Sequence, residues 1–273
     1  MTGVASRDWA AMRAVVAKDF RAIRGAKAVV LPMLIVPFLL LVVLPFAIGL
    51  AARGAHSTDL HHVLDKLPGG LAKPILRQPP REQLVILVDG YLLAPLFLIV
   101  PLMVASVLAA DAFAGEKERR TLEALLHLPI GERDLFYAKV VGAWLPAVAI
   151  SWVGFVVFAV VANWVAWPVV HHVFVPTTLW LIMIVWLAPG VAALGMGIMV
   201  RVSARARTAQ EANQLGGAVV LPLIFATVAQ STGLLLVSPP LALGVGAVVW
   251  AIALALLARG ASRFTRDRLA ATL

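Results

Sequence analysis

The sequence predicts an all-α integral membrane protein with six transmembrane helices, and three observations lead to this fold class. The 273 residues are 62% hydrophobic and only 14% charged, which is far more apolar than a soluble globular domain. Apolar runs of about 18 or more residues recur along the chain, and each is long enough to cross a bilayer. The Lys and Arg side chains, which give a net charge of +9, are concentrated between alternate runs.

The apolar runs divide one transmembrane domain, residues 1–273, into an ordered series of elements. The first run begins only near residue 28 and continues too long for a cleavable signal peptide, so we expect the first span to act as an uncleaved insertion signal. The predicted spans are about 28–52, 84–110, 136–162, 173–200, 211–229 and 241–258.

Residues 6–27 read as an amphipathic helix that lies in the membrane interface. Its apolar stripe consists of Trp9, Met12, Val16, Phe20 and Ile23. A tryptophan-bearing apolar face beside a basic face is typical of interfacial helices. The alternative is a merely basic flank to the first span.

Residues 53–86 form a polar insert between the first two spans. His56, His61 and His62 lie close to Asp65 in this insert, but zinc needs about four ligands in a tetrahedral array, so solvated loop histidines are the expectation. Asp89 lies in the second span, near the end of that span that is next to the insert. We expect it to be an interfacial residue rather than a proton carrier.

The third and fourth spans carry packing and boundary signals. Asn163-Trp164 and Trp167-Pro168 are predicted to form an aromatic boundary to the third span. In the fourth span, Pro189-Gly190 predicts a kink, and Gly195 with Gly197 predicts a close-packing surface.

The fifth span is interrupted by a polar stretch, which consists of Gln230, Ser231, Thr232 and Gly233. Unmet polar groups inside a bilayer are costly, so we expect the helix to end near residue 229 and residues 230–240 to form a re-entrant segment. The alternative is a long, slightly polar helix that emerges at Ser238.

The charged stretch from Asp111 to Pro129 is the only long run dense in both acids and bases. Leu122, Leu125 and Leu126 share one face of a helix over 114–129, and Glu116–Arg120 and Arg119–Glu123 form opposite-charge pairs at i, i+4. Gly115 loosens the start of this helix and Pro129 stops it. The prediction is an exposed amphipathic helix that docks onto a soluble partner. An ordinary solvated loop is the alternative.

This stretch resembles the cytoplasmic signature of ABC-2-type transporter permeases. The matching positions are Asp111, Glu116, Glu118, Arg119, Thr121, Leu122, Glu123, Leu125, Leu126 and Pro129, with Lys139 at the entry to the next span. Arg120 departs from the pattern, since many relatives carry glycine there. The resemblance implies that the segment, including Gly115, is the coupling helix that meets an ATPase subunit. It also implies that residues 6–27 are the connecting helix and favours the re-entrant reading of residues 230–240.

Several chemistries are missing from the sequence. It contains no Gly-x-x-x-x-Gly-Lys-[Ser/Thr] phosphate loop, no Gly-x-Ser-x-Gly, no His-Glu-x-x-His and no cysteine. We therefore expect no catalytic residue, no metal and no cofactor on this chain, with ATP and Mg²⁺ held by a separate ATPase.

The basic residues predict the orientation. The N-terminal helix holds 6 Lys and Arg residues, the second-to-third loop 5 when Lys139 at the entry to the third span is included, the fourth-to-fifth loop 3 and the C-terminal tail 4, whereas the opposite side holds 5, all in the insert. The positive-inside rule then places both termini and the motif in the cytoplasm.

These observations predict a permease subunit of an ATP-driven ABC exporter in a bacterial or archaeal cell membrane. The expected assembly is a homodimer over two ATPase subunits, in contact with membrane lipids and without nucleic acid. The apolar spans favour a lipophilic or amphipathic substrate. The alternatives are a secondary transporter driven by an ion gradient and an intramembrane lipid-modifying enzyme. A secondary transporter should carry ionisable residues near mid-membrane, and these spans have essentially none.

Overall fold

A computed structural model describes residue 13 and residues 34–54, 75–80, 82–119, 131–206, 208–217 and 239–263. These parts of the chain are helical and contain no β-strand. We number the main helices α1 (Leu34–Gly54), α2 (Gln83–Glu118), α3 (Glu132–Val170), α4 (Thr178–Arg205), α5 (Ala209–Gly216) and α6 (Pro239–Arg263).

Five of these helices, α1 to α4 and α6, are long and apolar enough to cross a membrane. They coincide with the first four predicted spans and with the sixth. Of the predicted fifth span, 211–229, only the first turns are described, as part of α5. The multi-pass helical fold is therefore confirmed, and the count of six spans stays a prediction.

The described helices do not begin and end where the predicted spans do, and the bounds of the spans stay predictions. α2 continues to Glu118, well past residue 110, and α4 occupies Thr178–Arg205 rather than 173–200. α3 has 39 residues where 136–162 was predicted, a length of about 58 Å that far exceeds the thickness of a bilayer core. The end of α2 and the start of α3 are rich in charged residues, so hydropathy does not mark these parts of the two helices.

The end of α3 shows how the chain returns to α4. Asn163 was predicted at the boundary but lies inside the helix, which ends at His171 in a left-handed conformation with φ 53°. The Asn163 amide nitrogen donates to the carbonyl oxygen of Val175 at 2.7 Å, and its side-chain oxygen accepts from the N–H of Phe174 at 3.0 Å. This side chain thereby fastens the α3–α4 connection to α3.

α4 lies at the centre of the bundle. It packs along α2 on one side and along α6 on another, and it also contacts α3, while α1 packs against α3. Two thirds of the most apolar window of α2 and of α4 is buried (67%), compared with 22% for α1 and 17% for α6. The core is therefore centred on the α2–α4 pair, to which α3 adds buried side chains such as Phe136 and Phe158, while α1 and α6 expose most of their apolar surface.

Two glycines of α4 allow this close packing. A Cβ atom at Gly195 would lie 2.7 Å from the Leu102 side chain of α2, and one at Gly197 would lie 2.8 Å from the Leu256 side chain of α6. Both distances are shorter than real Cβ contacts, so neither position has room for a side chain. The predicted packing surface is confirmed: Gly195 packs against α2 and Gly197 packs against α6.

α4 also contains a π-helical turn, Met183–Leu187, immediately before the predicted kink at Pro189-Gly190. Within this turn the N–H of Ala188 bonds to the carbonyl oxygen of Met183, five residues earlier. The next bond of this kind would join the N–H of residue 189 to the carbonyl oxygen of Ile184. Because Pro189 has no N–H, that carbonyl oxygen lacks this backbone donor. The indole N–H of Trp152 on α3 supplies the bond instead, at 3.1 Å.

Two further tryptophans bond to the same region of α4. Trp144 of α3 donates to the carbonyl oxygen of Pro189, and Trp250 of α6 donates to that of Trp186, each at 3.0 Å. In a bilayer every backbone polar group needs a partner within the protein, and these indoles provide it where α4 departs from the regular ladder.

Candidate functional site at the motif end

The charged side chains of the motif gather at one end of the bundle. We call it the motif end, where α2 finishes at Glu118, α3 begins at Glu132 and α4 finishes at Arg205. The structure describes the motif from Asp111 to Arg119. Within α2, Asp111–Gly115 form a second π-helical turn, and Glu116–Glu118 return to α-helix.

A buried ion pair joins α2 to α3. The side chain of Lys139, on the second turn of α3, is fully buried, and its ammonium group bonds to the carboxylate of Glu116, which is only 4% exposed. The same ammonium group donates to the carbonyl oxygen of Ala112 at 2.9 Å and lies 5.8 Å from the centre of the Phe113 ring. Because each buried charge compensates the other, losing either partner would be strongly destabilising.

A second ion pair lies on the surface of α2. The Arg119 guanidinium donates to the Asp111 carboxylate at 3.0 Å, and their side chains are 53% and 20% exposed. This hydrogen bond is the main cause that raises the pKa of Arg119. Gly115 lies beneath the bridge, since a Cβ there would be 2.8 Å from the Asp111 carboxylate and 3.1 Å from the guanidinium. Glycine at this position therefore leaves room for the pair to cross the helix.

Glu118 joins α2 to α5. Its carboxylate accepts a hydrogen bond from the backbone N–H of Ala209, the first residue of α5, at 3.1 Å. Thr208 caps the same helix by accepting from the N–H of Glu211 at 3.0 Å. A carboxylate beside a helix N-terminus also interacts favourably with the helix dipole.

Three carboxylates of one short segment thus have three different uses. Glu116 holds α3, Glu118 holds the start of α5, and Asp111 binds Arg119 within α2 itself. A displacement of the segment 111–119 would therefore be passed to α2, α3 and α5 together.

The position of Glu116 corrects the sequence analysis. It was expected on an exposed helical face, paired with Arg120, whereas the structure buries it against Lys139. The helical spacing reveals only near neighbours on the same helix, and Lys139 lies 23 residues away.

The remaining predicted site residues lie outside the described residues. They are Arg120, Thr121, Leu122, Glu123, Leu126 and Pro129 of the motif, Trp9, Met12, Val16, Phe20 and Ile23 of the predicted interface helix, and Gln230, Ser231, Thr232 and Gly233 of the predicted re-entrant segment. Their roles stay predictions.

Sequence reasoning missed the use that the site makes of Lys139 and Ala209. A signal for Lys139 was present, because it lies between Ala138 and Val140 where α3 enters its apolar run. A lysine inside a span costs about 2.5–3.5 kcal/mol on insertion scales and so requires an acidic partner. No comparable signal marks Ala209, which contributes only a backbone N–H.

The opposite end of α2 holds another buried acid. Asp89 was expected to be an interfacial residue rather than a proton carrier, and its depth in the membrane stays a prediction. Its side chain is 0% exposed, because neighbouring helices bury it. It lies in the π-helical turn Ile86–Leu92, and neither carboxylate oxygen has a hydrogen-bond partner among the described residues.

The histidines of the α3–α4 connection are described, and those of the insert are not. His171 ends α3, and the ring Nδ1 of His172 lies 2.7 Å from the carbonyl oxygen of Val170. Among the described residues, no group of three or more His, Cys, Asp or Glu side chains could hold a metal ion.

The fold and the site define a multi-pass helical membrane protein whose helices are joined at one end by the acids of a charged motif. The chain belongs to the ABC-2 transporter family, since the model of the ABC-2 family transporter protein matches residues 13–241. It is therefore a permease subunit of an ABC transporter, and membership of this family implies partnership with an ABC ATPase subunit. No curated protein and no solved structure matches the chain.

Proposed function

We propose that the chain is the transmembrane subunit of an ATP-driven exporter that moves a lipophilic or amphipathic substrate out of the cytoplasm or the inner leaflet. Two copies would form the pathway over two ATPase subunits, which bind ATP and Mg²⁺. The membrane would be a bacterial or archaeal cytoplasmic membrane, with both termini in the cytoplasm.

The observation that carries this proposal is the link between the motif and three helices. Glu116 bonds to Lys139 of α3, and Glu118 bonds to the first residue of α5. If the segment 114–129 contacts the ATPase, closure of the ATPase would tilt α2 and α3 as one rigid body and pull on the start of α5. The helix at residues 6–27 would act as a lever in the interface, and residues 230–240 as a lid over the pathway.

The orientation is supported by the distribution of basic residues. The Lys and Arg residues outside the 53–86 insert lie in the N-terminal helix, in the second-to-third and fourth-to-fifth loops with Lys139, and in the C-terminal tail, all of which are on the motif side. The absence of cysteine permits a direct test, because a single cysteine can be placed on a clean background. Positions 62 and 171 should react with an impermeant thiol reagent from outside the cell, and positions 120, 205 and 266 only after permeabilisation.

The choice between an ABC permease and an ion-driven transporter rests on the family and on the composition of the spans. The sequence argument was that the spans carry essentially no ionisable residue near mid-membrane, and the fully buried Asp89 and Lys139 both lie near one end of their helices. Lys139 is accounted for by Glu116 of the motif, which fits coupling to a partner protein. The ABC-2 family membership then favours the externally powered permease.

The ATPase partnership can be tested by co-purification. A tagged chain, extracted from its native membrane in a mild detergent, should bring an ABC ATPase with it. Leu126→Asp places a charge on the predicted apolar face of the motif helix and should abolish that recovery, because burying an unpaired charge at an interface is costly. Leu126→Met keeps an apolar side chain of similar volume and is the matched control.

Equal recovery of the ATPase with Leu126→Asp and with the wild type would contradict the docking role of this face. Recovery of no ATPase by the wild type would contradict the proposed assembly itself.

A further inference from the structure

Asp89 has the features of a binding group rather than of a structural one. It is the acid that α2 buries at the end opposite to the motif, and both of its carboxylate oxygens lack a hydrogen-bond partner among the described residues. It lies within the π-helical turn Ile86–Leu92, and such turns occur frequently at functional sites.

The charged and titratable side chains described around it do not compensate the carboxylate. The guanidinium of Arg53 on α1 is directed to the carbonyl oxygen of Val165, at 2.7 and 3.2 Å, and Arg77 is exposed. The other titratable side chains described at this end, none of which bonds to the carboxylate, are Glu82, Tyr91, His171 and His172. An ionised carboxylate buried without a partner is very unfavourable, so a positive charge must come from elsewhere.

A cluster of aromatic side chains lies beside the backbone of Asp89. Trp180, which is fully buried, donates its indole N–H to the carbonyl oxygen of Asp89 at 3.1 Å. The Trp180 ring packs against Phe158, Phe155 and Phe97, with centroid distances of 4.8, 5.4 and 5.6 Å. Aromatic faces attract ammonium groups, most strongly where water is excluded.

The packing beside Asp89 is not tight. Gly90 is buried, yet a Cβ atom added there would meet only the Cγ2 atom of Ile86, at 3.8 Å, outside its own neighbours and the helix backbone. At Gly195 and Gly197 of α4 the same construction meets side chains below 3.0 Å. The turn that carries Asp89 therefore has space that the α4 interfaces lack.

We propose that Asp89 is the anionic group of a binding site for a single positive charge, supplied either by a proton or by the ammonium group of a lipophilic amine. A single carboxylate suits a monovalent cation, because divalent metal ions require several oxygen ligands and Asp89 belongs to no such group among the described residues. This site does not depend on the ATPase partnership, so its test can fail without affecting the proposed function.

The test compares the two buried acids of α2 in the same molecule. The full chain in lipid nanodiscs is treated with dicyclohexylcarbodiimide, a hydrophobic reagent that converts a carboxyl in apolar surroundings into a stable N-acylurea, and each peptide is quantified by mass spectrometry. We expect Glu116 to be labelled about tenfold less than Asp89, because its carboxylate is already engaged in the ion pair with Lys139. Asp89→Asn is the control that must lose the label.

Two further arms identify the source of the charge. Benzyltrimethylammonium is added at constant pH and compared with neopentylbenzene, its neutral isostere. Protection of Asp89 by the ammonium compound alone identifies an organic cation, whereas labelling that depends on pH without such protection identifies the proton. The midpoint of thermal unfolding is a second readout, since bound ammonium should raise it in the wild type and leave Asp89→Asn unchanged.

Preferential labelling of Asp89, or an ammonium shift of the midpoint that requires Asp89, supports the site. The proposal is overturned if Asp89 is labelled no more than Glu116 and the ammonium compound shifts the midpoints of wild type and Asp89→Asn equally.

Discussion

The two ends of α2 treat a buried acid in opposite ways. At the motif end, Glu116 is 4% exposed and bonds to the buried ammonium group of Lys139. At the other end, Asp89 is 0% exposed, and its carboxylate has no partner among the described residues. The first acid completes a fixed contact between two helices. The second leaves its interaction unmet within the described protein and is therefore available to a ligand.

The first way to break this comparison is to remove Lys139, and we expect this to have the largest effect. Lys139→Met leaves the Glu116 charge buried and alone, which should lower the free energy of unfolding by about 3–5 kcal/mol. Denaturant unfolding of the purified chain in lipid nanodiscs measures the loss. Adding Glu116→Gln to Lys139→Met removes the stranded charge and should recover most of it.

The same set of variants can contradict the comparison. If Lys139→Met costs less than about 1 kcal/mol, or if the double variant is no more stable than Lys139→Met alone, Glu116 and Lys139 are not a coupled buried pair.

A smaller effect is expected at Glu118, which separates the link to α5 from the link to α3. Glu118→Ala removes the acceptor for the N-terminal N–H of α5, a change comparable to losing a helix cap and worth about 1 kcal/mol. Hydrogen exchange at the amides of α5 should become faster while exchange in α3 stays unchanged. Glu118→Gln retains an acceptor oxygen and should lie between wild type and Glu118→Ala. Faster exchange in α3 as well would show that the two links are not separate.

The surface pair Arg119–Asp111 should matter less still. Both side chains are partly solvated, so breaking the pair should cost at most about 1 kcal/mol and become undetectable at high salt. A double-mutant cycle of Arg119→Ala and Asp111→Ala, measured by unfolding at low and at high ionic strength, isolates the coupling. A coupling energy that salt does not alter would place this pair with Glu116–Lys139 instead.

The smallest effect on stability is expected at Asp89. Asp89→Asn keeps the shape of the side chain and removes no hydrogen bond described for the carboxylate, so the free energy of unfolding should change by less than about 1 kcal/mol. The matched substitution Glu116→Gln breaks a buried ion pair and should cost more. Comparing the unfolding curves of the two variants tests whether the paired acid contributes more to stability than the unpaired one. If Asp89→Asn lowers the free energy of unfolding as much as Glu116→Gln does, the two acids do not differ in this respect.

Much of the fold follows from local properties that a sequence displays directly. Apolar runs predicted α1 to α4 and α6, and the two small residues at 195 and 197 predicted the contacts of α4. The ends of α2 and α3 could not be predicted in the same way. The end of α2 and the start of α3 are polar continuations of apolar helices, which hydropathy does not mark.

The candidate site was predicted in position but not in arrangement. The motif indicated where charged residues would gather, yet the partners of Glu116 and Glu118 lie 23 and 91 residues away along the chain. Helical spacing identifies only neighbours on the same helix, so it cannot predict contacts between residues this far apart in the chain. The burial of Asp89 was not predicted for a related reason, because its surroundings include Trp180, which lies 91 residues away along the chain.

The tryptophan contacts of α4 have a consequence for the order in which the protein is made. Trp144 and Trp152 precede α4 in the chain, so their indole donors are already synthesised when the π-helical turn is translated. Trp250 comes last, so its bond to the carbonyl oxygen of Trp186 forms only after α6 has been made. A nascent chain halted before residue 239 would hold α4 without that bond, and only the arrival of α6 covers the central helix on its second side.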